Sequence, residues 1–201
     1  MEIHRVCQTV VTWHRYAPEV KAELFSTAVI SSDGAYLVDP IAIDRESLRT
    51  TLAPAAIAGV VVTNENHGRA AVDVAATFDV PLYAHAATRQ ALDLPSALEL
   101  ADGDEFAPAL TALAIEGAPA GEIAIYAQLE GGTLIIGDAL INMGSYGFAL
   151  LPAKYCSNQK RMRRSLRKLL DYDFQRIVFA HGLPVVTDAK RRLAELLESS
   201  S

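Results

Sequence analysis

The chain has 201 residues, 51% hydrophobic and 21% charged, and a net charge of −6. That length and composition fit one folded domain over residues 1–201 and exclude a disordered or fibrous chain. No apolar run reaches the roughly 18 to 20 residues that cross a bilayer, so no membrane partner is expected.

The N-terminal stretch "MEIHRVCQTVVTW" carries charge early and lacks the long apolar core of a signal peptide. Cys7 and Cys156 are too few for a disulfide framework and read as free thiols, which suits a cytoplasmic protein. The acidic balance argues against nucleic acid as the main partner. Two β-rich runs follow in "ELFSTAVISSDGAYLVDP", joined at Ser32-Asp33-Gly34 as a hairpin. "DRESLRTTL" reads as a short helix, Val60 to Thr63 as a strand, and residues 69–78 as a helix. "VPLYAH" is a short buried strand and "AATRQALDL" another helix.

The middle returns to strands in "ALTALAIEG", "EIAIYAQLE" and "GTLIIGDAL". Asn142 to Cys156 reads as a glycine- and aromatic-bearing loop. In the next segment Met162, Leu166, Leu169 and Leu170 form one helical stripe, with Ser157 as the expected N-cap. "RIVFAHG" is a buried strand and "PVVTDAKRRLAELLES" a closing helix. Strands early and in the middle, with helices between and after them, predict an α+β sandwich of sheets flanked by helices.

Four apolar runs end on a polar or ionisable residue before a turn: Asp39, Asn64, Asp138 and His181. Strand ends opening into loops are where rigid scaffolds collect functional groups. Each alone is an ordinary turn-former. Their order and flanking text carry more.

In "LVDP", "VVTNENHGRAA", "VPLYAH", "IIGDAL" and "FAHGLPV" the chain resembles the metallo-β-lactamase superfamily over nearly its whole length. The resemblance implies a four-layer αββα sandwich of two mixed β-sheets with a metal site along one edge. The family's signature after the strand is Thr-His-x-His-x-Asp-His. Thr63 matches, but Asn64 and Asn66 stand for the first histidines, Gly68 for the aspartate and Arg69 for the last histidine. A further family histidine would fall near Gly117, where none is present. The bridging aspartate is present as Asp138 and the final histidine as His181.

A catalytic zinc takes about three protein ligands and one open position. Asp138 and His181 supply two, and His67 a third only if its turn shifts, because in the family register its position points away. A two-metal centre is therefore not expected. A single weakly held zinc, iron or manganese remains open. Arg69 is expected to pair with Asp138, or else to begin a surface helix and face solvent.

The other candidates carry less. His181 could simply bond a backbone group. His85 reads as structural, and His4 and His14 near Trp13 form no constellation. Cys156 and Ser145 lack a visible base. The run Lys160, Arg161, Arg163, Arg164, Arg167 and Lys168 reads as a solvated helix face.

Two functions stay open. In one, Asn64, Asn66, His67, Asp138 and His181, with at most one metal, activate water against a small ester, thioester, lactone or phosphate. In the other, the cleft with Arg69 in place of metal binds a small anionic ligand or a protein partner. A homodimer is the default assembly for a soluble chain of this size.

Overall fold

The structure, a computed structural model, describes residues 2–143 and 147–199. β1 (Glu2–Arg5), β2 (Val10–Ala17), β3 (Ala22–Ser31) and β4 (Gly34–Val38) form an antiparallel meander. β5 (Ile57–Val62), β6 (Leu82–Ala84) and β7 (Leu98–Glu99) extend that sheet in parallel. In a second sheet β8 (Glu105–Ala107), β9 (Leu110–Ala114), β10 (Ile123–Ala127) and β11 (Thr133–Ile136) are antiparallel neighbours. β12 (Leu140–Met143) and β13 (Gly147–Leu150) make a separate hairpin, and β14 (Arg176–Phe179) returns parallel to β11.

The central strands look uniformly apolar because both of their faces are buried. Alternate residues of each strand go to opposite layers. Val60 and Val62 of β5 pack outward beneath helices, while Val61 packs between the sheets. Ile123, Ile125 and Ala127 of β10 also fill the space between the sheets, and Ala124 and Tyr126 face the other way.

The outer layers are helical. α1 (Arg45–Leu52) and α2 (Ala71–Phe78) bury Leu48, Leu52, Ala71 and Val74 against Trp13, Val60 and Val62. Asp44 caps α1 by accepting from the Ser47 amide at 2.8 Å. α3 (Ala86–Ala91) is short and capped by His85, whose Nδ1 accepts from the Ala87 amide at 3.2 Å. On the far side, α4 (Gln159–Lys168) and α5 (Ala189–Ser199) seat Met162, Leu166, Leu193 and Leu197 on Leu134, Ile136 and Phe179. Helix, sheet, sheet, helix is the four-layer sandwich that the sequence pattern and resemblance imply.

Several local expectations differ. Asn158, not Ser157, caps α4, since its Oδ1 accepts from the Arg161 amide at 2.9 Å while Ser157 donates to the Ala118 carbonyl. The apolar stripe outlasts α4 by tightening into a 3₁₀ turn at Leu169–Asp171. "GTLIIGDAL" breaks at Gly137 and Asp138, and the expected loop beyond it contributes β12 and β13. The closing helix begins at Ala189 because Val185 is in a β-bridge with Ile177. Ser145, weighed as a nucleophile, lies outside the described residues. Among the described residues, no helix is long and apolar enough to cross a membrane.

Ile125 is fully buried where the two sheets meet. Ile125→Ala is expected to cost about 2–5 kcal/mol, measured by urea unfolding. A loss below about 1 kcal/mol would show that the inter-sheet layer is not the packed core described here.

Candidate functional site

Four strand ends meet along one edge. In the second sheet the parallel register pairs Ile136 with Phe179. Asp138 and His181 each lie two residues further on, so they leave the sheet side by side. In the first sheet Val38 pairs with Val61, which sets Asp39 beside Thr63. The sheets are tied together here, since Phe25 donates to the Ala180 carbonyl and Ile123 to the Thr63 carbonyl, both at 2.9 Å.

The turn after β5 then supplies the ring that sequence reasoning places elsewhere. The His67 amide donates to the Asn64 carbonyl at 3.1 Å, closing a tight turn, and the imidazole is buried under the sheet edge. His67 therefore joins Asp138 and His181 with no shift of its turn. His67 Nε2 lies 3.2 Å from Asp138 Oδ1, and His181 Nε2 lies 3.3 Å from the same oxygen. One ligand-type atom from each residue falls within 4.8 Å of the others. The His67 contact is short but poorly aligned, so Nε2 is a buried nitrogen with no hydrogen-bond partner among the described residues.

Each ring is held from behind. His67 Nδ1 sits 2.8 Å from Asp39 Oδ2 and 2.9 Å from Thr63 Oγ1. Asp39 in turn accepts from the Thr63 amide at 2.8 Å and the Thr63 hydroxyl at 2.5 Å. His181 Nδ1 faces the Glu23 carbonyl at 3.3 Å. These acceptors assign the Nδ1–H form to both rings and turn each Nε2 toward Asp138.

Asp138 is held on its other oxygen. Oδ2 accepts from Asn66 Nδ2 at 3.0 Å and from Asn64 Nδ2 at 3.2 Å. Asn64 Nδ2 also donates to Glu122 Oε2 at 2.6 Å, and Glu122 Oε1 accepts from the Ala139 amide at 3.0 Å. Gly137 makes this nest possible, since a Cβ there would lie 2.5 Å from Thr63 Oγ1 and 2.9 Å from Glu122 Oε1.

The charges divide sharply. Burial works against ionising Asp138, but the adjacent His67 and His181 hold its carboxyl well below the usual range. Burial likewise works against Asp39, which His67 and Arg69 hold down. Burial opposes a charge on His67, yet Asp39 and Asp138 raise it to about 9. Glu122 goes the other way, raised to about 8 by burial and then by the Asp138 charge. Two carboxyls bridged by one amide are thus pushed in opposite directions, Asp138 down and Glu122 up. A search of strand ends misses Glu122, because it stands where an antiparallel strand begins at this edge.

The expected Arg69–Asp138 pair is not made. Arg69 is partly buried rather than turned to solvent, and its Nη1 donates to the carbonyls of Phe25 at 2.5 Å and Asp39 at 3.0 Å. Nη2 reaches the Ala180 carbonyl at 3.5 Å. A partly buried cation needs such partners, and these are backbone carbonyls of β3 and of the residues just beyond β4 and β14. Arg69 fastens the edge on which the site stands.

The remaining candidates separate cleanly. Cys156 faces the Leu151 and Pro152 carbonyls, and burial raises its thiol. Arg161 pairs with Glu116, while Arg163 and Arg167 donate to the Leu197 carbonyl. His4 and His14, which form no constellation in the sequence, come together with Glu2.

Comparison with known proteins agrees with this architecture. The model of the metallo-beta-lactamase superfamily matches residues 3–200. The fold is similar to DIM-1 metallo-beta-lactamase, with 18% identity and a TM-score of 0.77 over 100% of this chain and 98% of that one. A metallo-beta-lactamase from Erythrobacter litoralis is similar at 17% identity and a TM-score of 0.76, covering 98% and 96% of the two chains. A metallo-beta-lactamase family protein from Thermus thermophilus gives 19% identity and a TM-score of 0.68 over 98% and 80%. At such identities the likeness shows the fold. No curated protein sequence matches significantly.

Because Glu122 is raised from 4.5 to about 8, the folded chain holds this proton more tightly than the unfolded chain. Its stabilising contribution is complete below about 4.5 and is lost as pH rises through about 8. Chelator-treated protein should therefore lose stability between pH 5 and 8.5, by more than about 1 kcal/mol beyond any loss in Glu122→Gln. Denaturant unfolding at both pH values measures it. Equal slopes for the two proteins would mean that Glu122 is ionised throughout.

Proposed function

The chain belongs to the metallo-β-lactamase superfamily, and we propose that it is a single-metal hydrolase built on His67, Asp138 and His181. The observation that carries this reading is the pair of imidazole nitrogens facing Asp138 Oδ1 at 3.2 and 3.3 Å. Donor atoms bound tetrahedrally at about 2.0–2.1 Å are separated by about 3.3 Å. Two imidazoles around a carboxylate in a buried site call for positive charge between them, supplied by a proton on His67 or by a bound cation. Two imidazoles and a carboxylate suit zinc, iron or manganese.

A metal held there supplies Lewis acidity and a bound water of lowered pKa. The chain's own groups prepare the place. Asp39 and the Glu23 carbonyl fix the rings with Nε2 inward, as second-layer acceptors do for metal-binding histidines. Asn64 and Asn66 occupy Asp138 Oδ2 and leave Oδ1 for the ligand role. Their amides donate where the family signature places histidines, which favours one ion over two. His181 is the partly exposed member, with 18% of its side chain accessible, and marks the side from which substrate would approach.

The substrate class is a small ester, thioester, lactone or phosphate, whose hydrolysis one Lewis-acid centre can serve. The anion-binding alternative rests on Arg69, whose guanidinium is taken up by three backbone carbonyls. That leaves the metal reading the better supported one.

Purified, untagged protein should hold one zinc, iron or manganese per chain at this cluster, read by elemental mass spectrometry as the metal that variants of the cluster lose. His67→Ala, Asp138→Ala and His181→Ala should each contain one metal per chain less than wild type and lose any hydrolysis of chromogenic esters, thioesters, lactones or phosphates. Asn66→Ala should retain metal and lose roughly tenfold or more in kcat/KM, as removal of an outer-layer contact typically does. Metal far below one per chain after growth and reloading in zinc, or the same metal content in His67→Ala as in wild type, would overturn the proposal.

A further inference from the structure

We propose that Glu2, His4 and His14 form a second cation site on the outer part of the first sheet, selective for a borderline divalent transition ion such as zinc, copper or nickel. Antiparallel pairing puts Glu2 directly opposite His14 and His4 opposite Thr12, so Glu2, His4 and His14 share one face. Glu2 Oε2 lies 3.4 Å from His4 Nε2 and 3.7 Å from His14 Nε2. The three ligand-type atoms fall within 4.8 Å of one another. That spacing is close to the about 3.3 Å edge of a tetrahedral zinc shell.

The rings are already arranged for it. His14 stacks on Phe25 with centroids 4.6 Å apart and planes 12° apart. His4 stacks on His14 at 5.6 Å and 16°. Stacking limits the freedom that binding would otherwise have to remove. Behind His14, Nδ1 lies 3.9 Å from Glu23 Oε1, leaving Nε2 for the ion. Two imidazoles and one carboxylate, with no thiolate, select zinc, copper or nickel over magnesium or calcium. Glu2 and His4 are largely exposed, so an ion reaches the site directly from solvent. This site shares no residue with the buried cluster, although Glu23 touches both through its side chain and its carbonyl.

Chelator-stripped, untagged protein titrated with zinc in a calorimeter tests the assignment. Wild type is expected to show a zinc-binding event that His4→Ala and His14→Gln weaken at least about tenfold and His181→Ala leaves intact. His4→Ala is the safer variant for folding, because His4 lies on the exposed β1 strand. If the buried cluster binds no zinc, wild type still shows this one event with the same variant pattern, so the two proposals fail separately. Titration curves for His4→Ala and His14→Gln that match wild type would overturn the surface site. So would zinc binding abolished entirely by His181→Ala.

Discussion

Two imidazole nitrogens confronting one oxygen of Asp138 are the constraint around which this edge of the molecule is organised. In a buried setting that contact is stable only with positive charge between the groups, carried by a proton or by a metal ion. The chain favours both. Asp39 and Asp138 raise His67 to about 9, so the ring keeps a proton when nothing replaces it. The same acceptors that hold the ring also aim Nε2 as a ligand. Proton and metal compete for one nitrogen.

The surroundings show how the polar groups gathered at this edge are answered. Asn64 and Asn66 answer the second oxygen of Asp138 with amide donors. Glu122, brought to the same amide, is pushed upward by burial and by the Asp138 charge, which works against a second negative charge beside it. Arg69 draws its guanidinium to the carbonyls of Phe25 within β3 and of Asp39 and Ala180 just beyond β4 and β14, and ties the two sheets where the site sits. Each substitution solves a desolvation problem that an absent metal ligand would otherwise leave.

Much of this is legible in the sequence. Apolar runs ending at Asp39, Asn64, Asp138 and His181 mark the four strand ends, and parallel register brings them together. The sandwich follows from strand content and resemblance. His67 is misplaced by the motif register, which says which positions face the metal, whereas the Asn64–His67 turn bond decides where the ring goes. Glu122 is invisible because its importance depends on an antiparallel strand beginning at the edge where others end. Glu2, His4 and His14 converge only through the β1–β2 register, which the intervening residues set and no periodicity announces. Charge alone misreads Arg69, since the carbonyls that claim it come from segments distant in sequence.

The most direct test of competition at His67 Nε2 is proton release on zinc binding. It is measured calorimetrically at pH 8 in buffers of different ionisation enthalpy, on protein carrying His4→Ala so that zinc binding at the buried cluster is what is read. An ordinary imidazole has already given up its proton at that pH, while His67, raised to about 9, still carries one. Close to one proton released per zinc bound is the expected result, because the ion must displace the proton that holds Asp138. Zinc binding with no proton release would contradict it, placing the metal elsewhere or His67 in its neutral form.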